Sequence, residues 1–557
     1  MKGIGLDAGC TYMTVSYMDK DQNGPRAMTL SQDSPYIPSV AAYDHVTGNY
    51  EFGRAAKSRT GRKNVSLFKG FKMLLPETDA EKLAKRGYDP VNTPEHITRL
   101  FLENLLKKVL ADLNDQVIDR LVVCAPEIWN DGMDTLDGRL ILSRICQDMA
   151  FVKEVQVVSE PAAATACFAY NYRMKNKKSY NGSILLVDYG GGTLDITLTS
   201  VSETTDGEKG AVEVRVLDRT GAGENEDGEI GKAGIVYMET VMAEAIRRSG
   251  GSCEPNGRFL KAVDELEKEI LSRTDAIMQE FDVYLDYPEQ LEAHIFTEIE
   301  YQGEDIPISY GLLAETYDRI IRGVLDENLE KMIGCMEKRG IPYMDGNRED
   351  FKIALVGGFG NFYLVKKQIE NKFRFSVGDR RFSGIIGRRE EREQAVSLGA
   401  ALLADGCIRI RNTAAYSIGL WNYDPITGKP GLNYAIRYKQ DLEYDRVYYA
   451  RSPVDQAPTV IMAPKGGFRN FLINFGESDH TAQPALAKAE FAEKLSHVIA
   501  NTYHTAVIGF SISQAGVISL HIHDYDFLND RIAQDDHVIA LTRYSDLFEI
   551  TDVKRIF

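Results

Sequence analysis

Ile184-Leu185-Leu186-Val187-Asp188-Tyr189-Gly190-Gly191-Gly192-Thr193-Leu194-Asp195 reads as a strand, an aspartate at its end, a turn almost without side chains, and the start of a return strand. Gly3-Ile4-Gly5-Leu6-Asp7-Ala8-Gly9-Cys10-Thr11-Tyr12 repeats the layout, with Met13–Tyr17 returning as Ile196–Thr199 does. A tight turn of this kind directs consecutive backbone N–H groups into one concavity, which suits an anion. Asp7 and Asp188 then stand beside bound phosphate and would repel it without a divalent cation, so magnesium, held largely through water, is implied. One such turn closes hairpins in many proteins; two of them in equivalent strand–turn–strand units point to phosphate.

Outward from these turns, residues 1–405 alternate strand-like apolar runs with amphipathic helical patterns, as in an α/β architecture with helices packed on sheets. Ile4–Leu6, Leu121–Cys124, Ile184–Val187 and Ile353–Val356 are predicted strands. A helix is predicted from Thr93-Pro94-Glu95, with a capping threonine, a first-turn proline and an apolar stripe through Leu100, Leu102, Leu105, Leu106 and Val109. Asn181-Gly182-Ser183 and the glycine- and acid-rich Gly221–Gly231 read as surface loops. From about Ala414 the pattern turns to β-branched and aromatic runs, such as Thr505–Phe510 and Gly516–Ile522, interrupted by one predicted helix around Ala485–Ala500. A boundary within Asp405–Asn412 separates these regions. The chain of 557 residues is too long for one core and predicts roughly three or four folding units.

Composition narrows the function. No apolar stretch approaches the length of a membrane span, and the start reaches Asp7 before a signal-peptide core could form, so the expected location is the cytoplasm. The seven cysteines are scattered, with no pair at metal-ligand spacing, and read as reduced and mostly buried thiols. A formal charge of −17 opposes a phosphate backbone, and the basic run Arg173–Lys178 is short, so nucleic acid is not an expected partner.

With four further segments in the same order, the sequence resembles the actin-like ATPase superfamily and, within it, DnaK-type (70-kDa heat-shock) chaperones. The segments are Val158-Ser159-Glu160-Pro161-Ala162, Glu265-Leu266-Glu267-Lys268-Glu269-Ile270-Leu271-Ser272, Ile353–Gly360 with Gly357-Gly358, and Gln394–Ala401. The resemblance implies a two-lobed, duplicated ribonuclease-H-like ATPase domain over residues 1–405, with one lobe over about 1–182 and the other over about 183–405. Over 413–557 it implies a β-rich, sandwich-like domain without a helical lid.

Residue by residue, it places Gly9, Cys10, Thr11 and Tyr12 on the phosphates, with Gly190, Gly191, Gly192 and Thr193 as the second clamp. Asp7, Asp188 and Asp195 would serve magnesium, Asp188 and Thr193 the catalysis, and Glu160 the attacking water. The catalytic lysine corresponds to Lys72, or to Lys69 if the alignment shifts. Glu265, Lys268, Ser272, Gly357 and Gly358 would contact the adenosine of ATP or ADP.

The sequence also departs from that pattern. Glu269 and Asn361 stand where the family has adenine-flanking arginines; Ile230-Gly231-Lys232-Ala233-Gly234 replaces a phosphate-touching turn; and Gly406–Asn412 carries arginines where the family's linker is apolar. The expected function is slow, magnesium-dependent ATP hydrolysis coupled to binding of an extended polypeptide or a dedicated protein partner, with a co-chaperone or exchange factor as a further partner. The competing expectations are a nucleotide-binding scaffold with little turnover, an actin-like filament protein and a sugar-kinase-like phosphotransferase.

Overall fold

The computed structural model describes residues 3–550 except 22–23, 31–33, 131–132, 204–211, 223–232, 254–256, 273–279, 285–286, 376–378, 382–392, 412–413, 415, 424–429, 455, 463–467, 476–477, 480–481, 503–504, 527, 535 and 542. It is a mixed α/β structure with several sheets. Lys232 and most of the Gly221–Gly231 loop lie outside the described residues. Among the described residues no helix is long and apolar enough to cross a membrane.

The chain forms two compact units, and they do not divide at a single point. One comprises the residues up to Ile128, Ile145–Glu154 and Val158–Ile410; the other comprises Trp129–Arg144, Val155–Val157 and the chain from Arg411 onward. A single cut within 405–412 leaves residues 129–144 with the first unit, whereas compactness puts them with the second.

The first unit contains two sheets built on the same plan. In one, the strand Gly3–Asp7 lies antiparallel to Tyr12–Asp19 and parallel to Ile118–Ala125. In the other, Gly182–Tyr189 lies antiparallel to Leu194–Glu203 and parallel to Phe351–Val356. Strands buried on both faces tolerate few polar residues, and Ile184 through Val187 are all fully buried. The strand begins at Gly182 rather than after a loop: a side chain there would run into the Asp350 carbonyl, so the position belongs to the sheet. The arginine-bearing segment Ile408–Arg411 is also a strand and closes one edge of this sheet beside Val212–Ala222.

Helix Pro94–Asp112 starts where its cap predicts, with Thr93 Oγ1 accepting the N–H of His96 at 3.1 Å. Helix Glu160–Asn176 is capped by Ser159 and runs beside helix Ala395–Asp405. The two come so close that a Cβ on Gly399 would lie 1.7 Å from the Ala163 carbonyl oxygen. Arg173 and Lys175 of the short basic run sit in the last turn of the first of these helices, where cations complement its dipole.

In the second unit one sheet orders Pro430–Ile436, Ser417–Tyr423, Asn470–Asn474, Gln483–Ala487 and Phe548–Ile550. The other is built on Thr505–Ile512 and Ile518–Asp526, flanked by Tyr448–Tyr449, Val460–Met462 and His537–Ala540. Both sheets turn apolar faces to one core, with Phe471 and Phe510 in edge contact at 6.3 Å. The helix of this region spans Ala489–Thr502; residues 483–487, which the sequence reading partly gave to it, form a strand. Leu136 and Leu140 enter the same core. Asp137, one position on, accepts the N–H groups of Tyr544 and Ser545 at 2.5 and 3.1 Å and the Ser545 hydroxyl at 2.6 Å.

All seven cysteines are free, but only Cys124, Cys146 and Cys167 are buried; Cys253 is exposed and the other three are half-buried, which corrects the expectation of mostly buried thiols.

Candidate functional site

The two glycine turns lie against each other in the first unit. Asp7 pairs across its hairpin with Thr14, and Asp188 pairs with Asp195. The first turn is held by Ser39, whose hydroxyl donates to the Gly9 carbonyl at 2.6 Å and whose N–H donates to the Thr11 carbonyl at 2.8 Å. In the second, the Gly190 N–H closes onto the Thr193 carbonyl at 3.0 Å. The carbonyls of Gly190 and Gly191 accept the N–H groups of Gly234 and Ile235 at 3.2 and 2.8 Å. They thereby serve helix Gly234–Arg248, whose N-cap Ala233 has no side chain to offer.

Contact between the turns leaves no room for side chains. A Cβ on Gly191 would lie 2.0 Å from Thr11 Oγ1, and one on Gly192 would lie 3.0 Å from Cys10 Sγ. Gly357 combines a left-handed φ of 77° with an approach that would put a Cβ 2.5 Å from Asp188 Oδ1, so only glycine satisfies both demands.

A cavity of about 860 Å³ opens at this junction. Its wall includes Asp7, Gly9, Cys10, Thr11, Tyr12, Lys72, Glu160, Asp188, Gly190, Gly191, Gly192, Thr193, Lys268, Gly357 and Gly358. Asp195 lies behind the wall, fully buried, and accepts the N–H of Glu127 at 2.8 Å. Glu265 is exposed and does not line the cavity, although Lys268 on the same helix does. Ser272 ends that helix, Gly257–Ser272, and its side chain lies outside the described ones.

The two candidate lysines part company. Lys72 is buried on the cavity wall and its ammonium donates to Glu160 Oε1. Lys69 lies off the wall, 3.4 Å from Asp264.

Sequence reasoning missed Glu127, whose carboxylate pairs with Arg219 at 2.8 Å while its main chain holds Asp195. It also missed Tyr36, Arg54, Lys57, Glu267 and Glu393 on the wall. The Tyr36 ring packs edge-on against Tyr12 at 6.1 Å, and the Lys57 ammonium lies 5.9 Å over the Tyr12 ring. At the Gly357-Gly358 turn, the Asn361 side chain donates to the Gly357 carbonyl at 3.2 Å.

The electrostatics ask for a cation. Asp7, Glu160 and Asp188 face one cavity, with Lys72 the cation paired among them. Burial first, then Glu160, pushes the Asp7 carboxyl up to about 7, with Lys72 opposing. Burial, Glu160, Asp195 and Asp7 hold Asp188 well above its ordinary range. Burial likewise pushes the Cys10 thiol up to about 12, so it is a neutral, polarisable wall group. Lys72 keeps its charge, because the carboxylates around it outweigh the burial that would remove it.

The polar inventory fits a magnesium-bound phosphate chain. The Thr11 and Thr14 hydroxyls are buried on the wall with no hydrogen-bond partner among the described residues, and each can donate to a phosphate oxygen. The clustered carboxylates supply oxygen donors of the kind magnesium prefers, directly or through water. No protein-family model matches this chain.

Proposed function

We propose that the first unit is an ATPase of the actin-like, DnaK-type kind, binding ATP with magnesium in this cavity and hydrolysing it slowly. We further propose that the β-rich second unit binds an extended polypeptide or a dedicated protein partner. The observation that carries the reading is the meeting of two aspartate-tipped glycine turns at one cavity that also holds Lys72 and Glu160.

In this reading the thin turns admit the phosphate chain, and the Thr11 and Thr14 hydroxyls donate to its oxygens. Magnesium, when bound by Asp7 and Asp188, supplies the positive charge that lets carboxylates and phosphates share one space. Lys72 exchanges its donation from Glu160 to the transferring phosphoryl group, where a fixed cation stabilises developing charge. That exchange frees Glu160 Oε1 to accept a hydrogen bond from the attacking water and orient it. Tyr12, Tyr36 and Arg54 offer flat or charged surface on the wall in place of the missing arginine pair.

The test is calorimetric titration of the full chain with ATP, ADP and GTP, with and without magnesium, alongside phosphate release. ATP and ADP should bind only with the metal, and phosphate should appear without any added acceptor. Absence of heat with every nucleotide overturns the proposal. A second reading, a nucleotide-binding scaffold, has one observation in its favour: Lys72 and Glu160 already satisfy each other. It predicts binding without phosphate release. A filament protein would instead pellet with ATP.

A further inference from the structure

On the strand Ile518–Asp526, Leu520 and Ile522 enter the core of the second unit, which puts His521 and His523 together on the opposite face. Neighbouring strands build a pocket of donors around them. Gly509 stands opposite His521, and its missing side chain makes room for the ring of Tyr449; a Cβ there would lie 3.0 Å from ring carbons. The Tyr449 hydroxyl reaches to 3.3 Å from His523 Nε2.

On the other side Val538 pairs with His521, and Asp536, two residues earlier, brings its carboxylate over both imidazoles. Oδ2 is 2.8 Å from His521 Nδ1, and Oδ1 is 3.5 Å from His523 Nε2. The two rings are nearly parallel, with an interplanar angle of 6°, and both are buried. One ligand atom from each of His521, His523 and Asp536 lies within 4.8 Å of the others.

We propose that His521 Nδ1, His523 Nε2 and an Asp536 oxygen form a binding site for a divalent transition-metal ion of the zinc class, with a fourth position open to water. Donors on a tetrahedral zinc ion sit roughly 3.3 Å apart, given bonds of about 2.0–2.1 Å, and the Asp536 contacts of 2.8 and 3.5 Å bracket that spacing. Two imidazoles and one carboxylate favour zinc and its neighbours over magnesium or calcium, which prefer all-oxygen shells. Ser511 Oγ lies 2.7 Å from His521 Nε2. Its oxygen can accept a hydrogen bond from the Nε2–H that His521 carries when Nδ1 faces a metal, which makes Ser511 an outer partner of the site. Both histidines are held by the sheet, while Asp536 is partly open to solvent and gives the ion a way in. The ion would pin the segment before His537–Ala540 to the strand it pairs with.

The experiment uses the full chain, stripped with a chelator and kept in excess magnesium so that the carboxylates of the first unit are occupied. Zinc is titrated against a chromophoric chelator, and cobalt is added separately to read its ligand-field spectrum. The expected result is one zinc ion per chain, a tetrahedral-type cobalt spectrum, and a melting temperature that rises with zinc. His523→Gln should weaken binding at least about a hundredfold, and Ser511→Ala about tenfold to a hundredfold. Because a buried histidine variant can unsettle the sheet, Asp536→Asn is the decisive control. It should lose zinc while keeping the circular dichroism of the parent. Failure to compete for zinc, or equal retention by Asp536→Asn and His523→Gln, overturns the proposal and leaves a metal-free Ser511–His521–Asp536 hydrogen-bond chain.

Discussion

The ammonium of Lys72 and the carboxylate of Glu160 form a buried ion pair on the cavity wall, although the residues are 88 positions apart. If the pair opens onto phosphate as proposed, Lys72→Ala lowers phosphate release about a hundredfold. Lys69→Ala leaves it near the parental rate, and the reverse pattern would reassign the catalytic lysine. Glu160→Gln strands a buried ammonium, which costs about 3 kcal/mol of stability in urea unfolding.

Asp7 ties the same cavity to pH. An unfolded aspartate titrates near about 4, whereas burial and Glu160 bring Asp7 up to about 7. The fold therefore holds this proton more tightly than the unfolded chain does. That contribution to stability is full below about pH 4 and is lost as pH rises through about 7. Glu267, also raised to about 7 by burial, acts in the same direction. In chelator, melting temperature should fall between these limits, and Asp7→Asn should shrink the fall. Magnesium binding should tighten over the same interval, because the ion displaces the proton; a flat profile rules out Asp7 as its ligand.

Two glycines should respond in opposite ways to alanine. Gly191→Ala places a methyl 2.0 Å from Thr11 Oγ1. Overpacking of that kind costs about 1–3 kcal/mol of stability in urea unfolding, and, if the turns hold nucleotide as proposed, a displaced turn should also weaken its binding by calorimetry. Gly334→Ala, inside helix Gly323–Lys338 with nothing near its added Cβ, should raise stability by about 0.5–1 kcal/mol.

Asp137→Ala should destabilise the second unit by about 2 kcal/mol, because it leaves two main-chain donors and the Ser545 hydroxyl without their acceptor. If the first unit hydrolyses ATP as proposed, phosphate release supplies the independent readout.

What could be read from the sequence was local. The glycine turns, the strand ends at Asp7 and Asp188, and the cap at Thr93 depend on neighbours a few residues away, and their residue types announce them. Gly182 was misread because its role, lying against the Asp350 carbonyl, comes from a distant segment. Glu127 was invisible for a similar reason: it holds Asp195 through its main-chain N–H, which every residue but proline possesses. Glu265 and Lys268 share a helix face by spacing, yet only Lys268 meets the cavity, since spacing does not say where a wall ends. The sequence reading did not single out His521 and His523, which stand at alternate positions of one strand, and Asp536 joins them only through strand pairing.

The placement of residues 129–144 has a consequence for how the protein is made and cut. On the ribosome this stretch emerges early and must wait for Phe471, Phe510 and Tyr544 before its leucines find cover. A truncation near residue 405 would strip that cover and leave greasy surface behind, so the shortened product should aggregate. The second unit is likewise not a cassette that can be lifted out from residue 413 alone; an expressible version has to carry residues 129–144 with it.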